Sequence, residues 1–225
     1  HNPGLSPQML ERYRTMFQGT FYRRFVLGEW VAAEGLVYDF FDESFVHTAP
    51  EGLEEWYISC DYGTVNPTSM GLWGKKDGVW YRTAEFYYDA RKMHRQKTDE
   101  EYADALAELA GGRDIRAVIV DPAAASFIET LRRRGWRVRR ADNRVLSGIR
   151  LTARLLKAGK LVICPGCGDA IREFALYRWE EQGDGQDRVR KENDHAMDEI
   201  RYFAATVAER KGGGVYAGCV ERGRF

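Results

Sequence analysis

The stretch from residue 56 to residue 64 constrains the fold of this chain most strongly. It begins with six residues in which two sets of side chains alternate: Trp56, Ile58 and Cys60 against Tyr57, Ser59 and Asp61. This period of two predicts a strand whose successive side chains point to opposite faces of a sheet. Gly63 and Pro67 then end the strand. Asp61 is therefore expected at a strand end, on the face opposite the most apolar residues, where open α/β sheets usually carry their chemistry.

Length and composition indicate a globular domain. The 225 residues, 44% of them hydrophobic and 30% charged, are enough for one α/β domain with its own core. No apolar run reaches the roughly 18 residues that a membrane helix needs, and no signal peptide is recognisable, so no membrane contact is expected. The 34 basic and 34 acidic residues cancel, so any contact with nucleic acid has to come from a local patch.

The chain contains four cysteines: Cys60, Cys164, Cys167 and Cys219. We expect them to be free thiols in a reducing compartment. Cys164 and Cys167 have the spacing of half a zinc site, but no second Cys or His pair with suitable spacing follows. We therefore interpret this segment as a turn that leads into a helix.

The rest of the chain alternates between strand and helix patterns. Strands are predicted at residues 53–60, 69–75, 79–88, 117–121, 136–140 and 161–163, with a further short strand at 35–38. Helices are predicted at residues 98–110, 126–134, 146–158, 170–180 and 194–210. Three successive strands followed by alternating helices and strands predict an α/β fold with a mixed β-sheet. Its first three strands are antiparallel, the later ones are parallel, and α-helices flank it.

We divide the chain into three segments. Residues 51–210 are expected to form the main domain. Residues 1–50 are expected to be an approach segment that packs on this domain, with a helix from Ser6 and an aromatic cluster at residues 21–30 that would be costly to leave in water. Residues 211–225 are expected to form a flexible tail.

The last predicted helix has two distinct faces. At about 100° per residue, its apolar side chains share one sector that must face the sheet: Met197, Ile200, Phe203, Ala204 and Val207. His195, Asp198 and Tyr202 fall together in another sector, and residues three apart on a helix are neighbours. Taken alone, this second face favours a surface helix with an ordinary contact between His195 and Asp198.

Three acids nevertheless occupy comparable places in the predicted fold. Asp61 ends one strand, Asp121 ends a short buried strand, and Asp198 lies in the first turn of the last helix. The structural alternative is that an acid such as Asp61 only initiates a turn by hydrogen bonding its own backbone. Converging carboxylates repel one another unless a cation holds them. The three together therefore favour a metal site.

The chemistry of such a site follows from its ligands. Carboxylate oxygens suit Mg²⁺ or Mn²⁺ rather than zinc. Two such ions about 4 Å apart stabilise both the attacking water and the leaving oxygen of a phosphodiester displacement. His195, beside Asp198, is a candidate ligand of the second ion or a proton shuttle. Glu199 lies in an adjoining sector of the helix and is the rival of Asp198.

These motifs resemble the ribonuclease H/retroviral integrase-like superfamily and, within it, the nuclease domain of the large terminase subunit of tailed bacteriophages. Three motifs occur in the order of that family: Asp61–Thr68 (DYGTVNPT), Val118–Pro122 (VIVDP) and Asn193–Tyr202 (NDHAMDEIRY). The segment Phe21–Trp30 (FYRRFVLGEW) is also similar to the one that precedes the nuclease domain in those proteins. The resemblance covers roughly residues 5–210.

The resemblance implies a metal-dependent DNA endonuclease, a hydrolase that cuts concatemeric viral DNA during genome packaging in the cytoplasm of the host bacterium. Asp61, Asp121 and Asp198 would be its catalytic, metal-binding residues, with two Mg²⁺ or Mn²⁺ ions, and His195 its catalytic accessory. The implied partners are double-stranded DNA, the packaging ATPase domain, the small terminase subunit and the portal protein. No Gly-x-x-x-x-Gly-Lys-Ser/Thr phosphate loop is present, so the ATPase half is expected to be absent from this chain.

A basic stretch follows the strand of Asp121. Residues 132–160 contain eleven Lys or Arg against one acid, Asp142. Such a run is often only a solvated face, but its position favours a surface that follows DNA phosphates. The residues predicted to bind DNA are Arg134, Arg137, Arg139, Arg140 and Arg144. A second candidate surface consists of Arg91, Lys92, Arg95 and Lys97.

Two alternative functions remain open at this point. The first is another ribonuclease H-like nuclease, such as a junction resolvase or an enzyme that cuts RNA/DNA hybrids. The second is a non-catalytic docking module on which the acids do not assemble a site. Cleavage of linear duplex against branched or hybrid substrates separates the two nucleases, and a metal titration tests the docking module.

Overall fold

The computed structural model describes residues 35–180 and 187–209. The predicted helix from Ser6, the aromatic cluster at residues 21–30 and the predicted tail from residue 211 lie outside the described residues. The division of the chain into segments therefore stays a prediction. Among the described residues, no helix is both long and apolar enough to cross a membrane.

The described residues form strands and helices in alternation after an initial antiparallel group. The strands are β1 (Glu55–Asp61), β2 (Thr68–Lys76), β3 (Val79–Tyr88), β4 (Ile115–Val120), β5 (Val138–Arg140) and β6 (Leu161–Ile163). The α-helices are α1 (Asp99–Ala110), α2 (Ala125–Arg133), α3 (Val145–Lys157), α4 (Gly168–Phe174) and α5 (His195–Phe203). A 3-10 turn (Glu43–Phe45) precedes β1, and a π-helical turn (Ala204–Ala208) extends α5.

The strands form one six-stranded sheet in the order β5-β4-β1-β2-β3-β6. β2 is antiparallel to β1 and β3, whereas the pairs β1/β4, β4/β5 and β3/β6 are parallel. The predicted mixed sheet flanked by helices is therefore confirmed. Cys60 of β1 lies beside Val120, the last residue of β4. Asp61 and Asp121 consequently leave two neighbouring parallel strands at the same edge of the sheet.

The alternation predicted for β1 is also confirmed. Ile58 and Cys60 are fully buried in a core that includes Tyr102 of α1 and Phe127 of α2. Tyr57 points to the other face of the sheet, and its ring lies 6.3 Å from the ring of Phe203 in α5. The apolar side of β1 thus packs on α1 and α2, and its more polar side faces α5.

The second face of the sheet is covered by α5 and its π-helical extension. The five side chains predicted to face the sheet are all buried: Met197, Ile200, Phe203, Ala204 and Val207. The ring of Phe203 stacks on Trp73 of β2 with a centroid distance of 4.0 Å. This stacking fixes α5 across the middle of the sheet, with its first residues near the edge where Asp61 and Asp121 lie.

Some predicted boundaries are wrong, and tertiary contacts explain them. The helix predicted over residues 170–180 ends at Phe174, because Arg178 forms a bridge with Leu36 and Trp179 forms one with Val189. The strand predicted at residues 35–38 is reduced to that bridge, since the chain turns directly after it.

A second boundary error has a local cause. The strand predicted at residues 136–140 begins only at Val138, because the backbone N–H of Trp136 donates to the carbonyl oxygen of Leu131 and closes the end of α2 at 3.0 Å.

The cysteines within the described residues are buried free thiols: Cys60, Cys164 and Cys167. The backbone N–H of Cys167 donates to the carbonyl oxygen of Cys164 at 3.0 Å, and α4 begins at the next residue. This segment is therefore the predicted turn into a helix. Cys219 lies outside the described residues.

Candidate active site

Asp61, the last residue of β1, meets the first residue of α5. Its Oδ2 lies 2.9 Å from Nδ1 of His195, and the two side chains are only 17% and 16% exposed. Burial raises the pKa of Asp61 to about 6. The hydrogen bond with His195 opposes this shift, and the negative charges of Asp198 and Asp194 reinforce it. The charged form of Asp61 is therefore disfavoured, first by burial and then by the neighbouring acids.

The pKa of His195 is shifted by neighbouring charges as well. Burial works to lower the pKa of its imidazole, but Asp61, Asp194 and Glu173 together raise that pKa above the ordinary value. The acids around His195 thus favour its protonated form. Its position at the start of α5 lets it face the end of β1.

The carboxylate of Asp121 is held from two sides directly after β4. Its Oδ1 accepts a hydrogen bond of 2.7 Å from the backbone N–H of Ala123, which is the local turn geometry expected of an aspartate. Its Oδ2 accepts one of 2.8 Å from the hydroxyl of Tyr202 in α5. Asp121 therefore both initiates a turn and contacts α5. Its turn geometry does not exclude a role in the candidate site.

Asp198 is anchored by two cations. Its Oδ1 accepts a hydrogen bond of 2.8 Å from Nη2 of Arg201, and its Oδ2 lies 3.6 Å from Nζ of Lys191. Arg201 is only 2% exposed and lies against Gly148 of α3, where a Cβ atom would collide with its Cγ. A glycine in α3 therefore makes room for the arginine that orients Asp198.

The hydroxyl of Tyr202 donates to Asp121 and is influenced by the charges of the other two predicted acids, Asp61 and Asp198. Burial raises its pKa first, the charges of Asp61 and Asp198 raise it further, and the hydrogen bond to Asp121 adds to the shift. All three carboxylates thus act on one phenol group of α5. Asp61 is bonded to His195 and Asp121 to Tyr202 at the same end of the sheet, and the metal-binding role of Asp61, Asp121 and Asp198 stays a prediction.

Glu199, the rival of Asp198, points away from this region into the protein. It is fully buried, and its Oε2 accepts hydrogen bonds from Nε and Nη2 of Arg82 at 3.0 and 2.8 Å. Ser59 and Trp73 donate to its Oε1. A Cβ at Gly71 would lie 2.5 Å from both members of this ion pair. Glu199 therefore fixes α5 to the sheet and does not face Asp61.

Two further acids near the site were not predicted. Glu173 of α4 is fully buried, and its Oε2 accepts a hydrogen bond of 2.7 Å from the backbone N–H of Ala196. It thereby occupies the N-terminal end of α5, where negative charge is favourable. Nothing in the sequence signals this contact, because the two residues are 23 positions apart and belong to different helices.

The second unpredicted acid is Asp194, immediately before α5. It is 4% exposed, its Oδ2 lies 3.4 Å from Nζ of Lys191, and burial, followed by the charge of Asp198, raises its pKa. A sequence signal for it existed: Asp194 and Asp198 are four residues apart, and such residues share a helix face.

The donor chemistry of this region fits a divalent cation. Within residues 35–180 and 187–209, no three His, Cys, Asp or Glu side chains lie close enough together to hold a metal ion. The charges nevertheless accumulate: the pKa of Asp61 is raised to about 6, and Oδ1 of Asp194 is buried with no hydrogen-bond partner among the described residues. Carboxylate oxygens are the ligands that Mg²⁺ and Mn²⁺ prefer.

The arginines predicted to bind DNA do not form one uniform surface. Arg134 is paired with Glu100 and Asp104, and Arg144 is paired with Asp142. Nη2 of Arg139 donates to the carbonyl oxygen of Thr206 at 2.8 Å. Arg134, Arg137, Arg140 and Arg144 are all exposed, so their pairing with carboxylates rather than their exposure distinguishes them.

The second candidate surface lies beside the acids. The loop after β3 carries Arg91, Lys92, Arg95 and Lys97, and Nη2 of Arg91 donates to Oδ1 of Asn66 at 3.0 Å. Asn66 belongs to the loop that follows Asp61. The loop after β3 therefore adjoins the edge of the sheet where the acids lie.

No protein-family model and no curated protein sequence matches this chain. The large terminase from a thermophilic bacteriophage, in a complex with ADP, is similar to 92% of the chain, with 45% identity and a TM-score of 0.86. The chain belongs to the large terminase family. It covers 53% of that relative, so it spans about half the length of the large terminase that it matches.

Isolated large terminase nuclease domains share the fold. The P22 large terminase nuclease domain is 17% identical over 78% of this chain and 93% of that one, with a TM-score of 0.61. The large terminase nuclease from the thermophilic phage G20c, with bound cobalt, is 13% identical over 78% of this chain and 98% of that one, with a TM-score of 0.56. This member of the large terminase family therefore has the ribonuclease H-like fold of the nuclease domains.

Proposed function

We propose that this chain is a metal-dependent DNA endonuclease that cuts concatemeric viral DNA during genome packaging. Membership of the large terminase family supports a role in packaging, and the fold of the nuclease domains supports cleavage. The proposal rests on the contacts at one end of the sheet, where Nδ1 of His195 is bonded to Asp61 and the hydroxyl of Tyr202, one helical turn after Asp198, donates to Asp121.

Asp61, Asp121 and Asp198 would hold the metal, Mg²⁺ or Mn²⁺, and we propose two ions. Bound cobalt in the related phage G20c nuclease agrees with a divalent cation. Such ions supply charge stabilisation for the attacking water and for the leaving oxygen of the phosphodiester. The excess of negative charge around Asp61 favours binding of a cation in this place.

The side chains around the acids hold them in position. His195 fixes the rotamer of Asp61 through the bond to Oδ2, and Tyr202 does the same for Asp121. Arg201 and Lys191 balance the charge of Asp198. These partners are expected to act as the outer groups of metal sites do, by orienting the carboxylates rather than by contacting the substrate.

We propose double-stranded DNA as the substrate, with the exposed residues Arg137 and Arg140 among its contacts in the basic stretch. The packaging ATPase domain, the small terminase subunit and the portal protein are proposed as partners, and the cytoplasm of the host bacterium as the place of action. A different ribonuclease H-like nuclease is the second candidate, since the cleavage of a branched or hybrid substrate would use the same acids.

Cleavage of supercoiled plasmid tests the proposed function. With Mn²⁺ or Mg²⁺ the protein should convert the plasmid to nicked and linear forms, and excess EDTA should stop the reaction. A linear duplex, a four-way junction and an RNA/DNA hybrid offered in parallel identify the substrate class. Undiminished cutting in EDTA contradicts the proposal, and preference for the junction or the hybrid transfers it to the second candidate.

A further inference from the structure

A cavity of about 510 Å³ lies at the opposite end of β1 from the acids. Glu55, the first residue of β1, lines it, whereas Asp61 is the last. At about 3.3 Å per strand residue, the two ends of β1 are roughly 20 Å apart. The cavity is therefore separate from the candidate active site, and an inference about it does not rest on the proposed nuclease function.

The cavity is strongly cationic. Four basic residues line it, Lys75, Arg116, Arg139 and Lys160, against the single carboxylate of Glu55. Lys75 Nζ and Arg116 Nη1 lie 3.1 and 3.6 Å from the two oxygens of Glu55. Among the residues that line the cavity, basic side chains therefore outnumber carboxylates by four to one. A concave surface with an excess of one charge concentrates the field and favours an ion of the opposite sign.

One wall of the cavity is aromatic and aliphatic. Tyr57 and Trp80 meet edge to face, with ring centroids 5.6 Å apart at 78°, and Leu155 and Val207 complete the apolar lining. Lys75 Nζ lies 4.9 Å from the centre of the Trp80 ring. A cation thus borders the aromatic wall directly, so a ligand that fills the cavity meets both kinds of surface at once.

Backbone hydrogen bonds and strand pairing hold the main chain of the two lysines in place. The carbonyl oxygen of Lys160 accepts a hydrogen bond of 3.0 Å from the N–H of Trp80, and its own N–H donates to Leu155 at 2.9 Å. Lys75 lies within β2, whose register with β1 places it opposite Glu55. Lys75 and Lys160 therefore flank Trp80 and both line the cavity.

We propose that this cavity binds a nucleoside monophosphate, with the phosphoryl group at Lys75 and Lys160 and the base against Tyr57. The volume falls within the range of about 300–1,000 Å³ that is typical of small-molecule sites. Inorganic phosphate would leave the apolar wall uncovered, and a neutral aromatic molecule would leave the cations unused. The bases of a DNA duplex are stacked inside it, so a duplex would reach only the cations.

Isothermal titration calorimetry on the metal-free chain tests this site. Deoxyadenosine monophosphate and thymidine monophosphate should bind saturably, and both should bind at least roughly tenfold more tightly than deoxyadenosine, because a charge-assisted hydrogen bond is worth about one order of magnitude in affinity. Inorganic phosphate should also bind less tightly than the nucleotides, since it gains nothing from the aromatic wall.

Lys75→Met and Lys160→Met should each weaken nucleotide binding by about tenfold while the melting temperature stays close to that of the wild type. Lys76→Met is the matched control, because Lys76 is the next residue of β2, does not line the cavity and contacts the backbone oxygen of Glu51. It should bind nucleotide as the wild type does. Plasmid cleavage by the same variants reports separately on the nuclease.

Three results would overturn the proposal. The first is the absence of saturable nucleotide binding at millimolar concentration. The second is equal binding of deoxyadenosine and its monophosphate. The third is a loss of duplex DNA binding in Lys75→Met and Lys160→Met without any nucleotide binding by the wild type, which would make the cavity a contact for the DNA backbone. Each of these can occur whether or not the chain cuts DNA.

Discussion

Nδ1 of His195 and Oδ2 of Asp61 lie 2.9 Å apart although 134 positions separate the two residues in the sequence. The contact joins the last helix to the end of the central strand β1. Asp121 and Tyr202 form a second such contact at the end of the neighbouring strand β4. Together these two contacts place one face of α5 over the ends of both strands, and this placement assembles the candidate site.

We expect Asp61→Asn to keep the fold intact and to leave the metal-free protein as stable as the wild type or slightly more stable. The asparagine can still bond to His195, and it removes a carboxylate whose pKa is raised first by burial and then by the charges of Asp198 and Asp194. Thermal unfolding in EDTA is the measurement, with an unchanged or slightly higher melting temperature as the result. A variant that is largely unfolded would mean that Asp61 is a structural turn residue.

Substitutions of His195 and Asp198, which both belong to α5, should have unequal effects. His195→Ala should slow cleavage by roughly 10–100-fold, the effect expected from the loss of a group that orients a metal ligand. Asp198→Asn should abolish cleavage, because only the carboxylate provides the charged oxygen that Mg²⁺ and Mn²⁺ favour. Rates on plasmid DNA give the comparison. Wild-type activity of Asp198→Asn would remove Asp198 from the site.

Periodicity predicted the parts of the site that depend on one element alone. The period of two in β1 predicted the face of Asp61, and the period of about 3.6 in α5 predicted that His195 and Tyr202 share a side. Both predictions concern neighbours within a strand or a helix, where geometry follows directly from sequence spacing. The mixed sheet followed from the succession of these patterns, whereas the order of the strands within it came only from the structure.

Contacts between distant elements were beyond sequence reasoning. Arg82 and Glu199 are 117 positions apart, and no local pattern marks them as a pair. The same is true of Glu173 of α4, which accepts a hydrogen bond from Ala196 at the start of α5. The predicted helix beyond residue 174 was wrong for a related reason: Arg178 and Trp179 find backbone partners elsewhere in the fold. In each case a tertiary contact overrides the local preference.

The buried pair of Arg82 and Glu199 should be essential for stability rather than for metal binding. Both residues are fully buried, so Arg82→Met should destabilise the protein by about 3–5 kcal/mol, because it leaves the carboxylate of Glu199 buried without its cation. The double variant Arg82→Met/Glu199→Met should recover much of this loss. Urea unfolding measures both. A fully stable single variant would show that the pair does not hold α5.

DNA binding should be weak and strongly dependent on salt. Each phosphate contact contributes about 0.9 to the slope of log affinity against log salt, and non-specific binding lies at about 10⁻⁴–10⁻⁶ M. Arg137→Ala and Arg140→Ala should each reduce this slope. Arg134→Ala should reduce it less, because Arg134 is already paired with Glu100 and Asp104.

Fluorescence anisotropy with a short duplex at several salt concentrations gives these slopes. If Arg137→Ala and Arg140→Ala both keep the slope of the wild type, the basic stretch is only a solvated face. The DNA path would then lie elsewhere, and the loop that carries Arg91 and Lys92 would be the next surface to test. Tight binding to one particular sequence, insensitive to salt, would also contradict the account.

Calorimetric titration of the protein with Mn²⁺ tests most directly whether the three carboxylates form one metal site. We expect saturable binding by the wild type and its loss in Asp61→Asn, Asp121→Asn and Asp198→Asn. Asp169→Asn, an equivalent change on α4 where the side chain is 42% exposed and paired with Arg172, should bind Mn²⁺ as the wild type does. Equal Mn²⁺ binding by the wild type and all three site variants would show that the three carboxylates do not form one metal site.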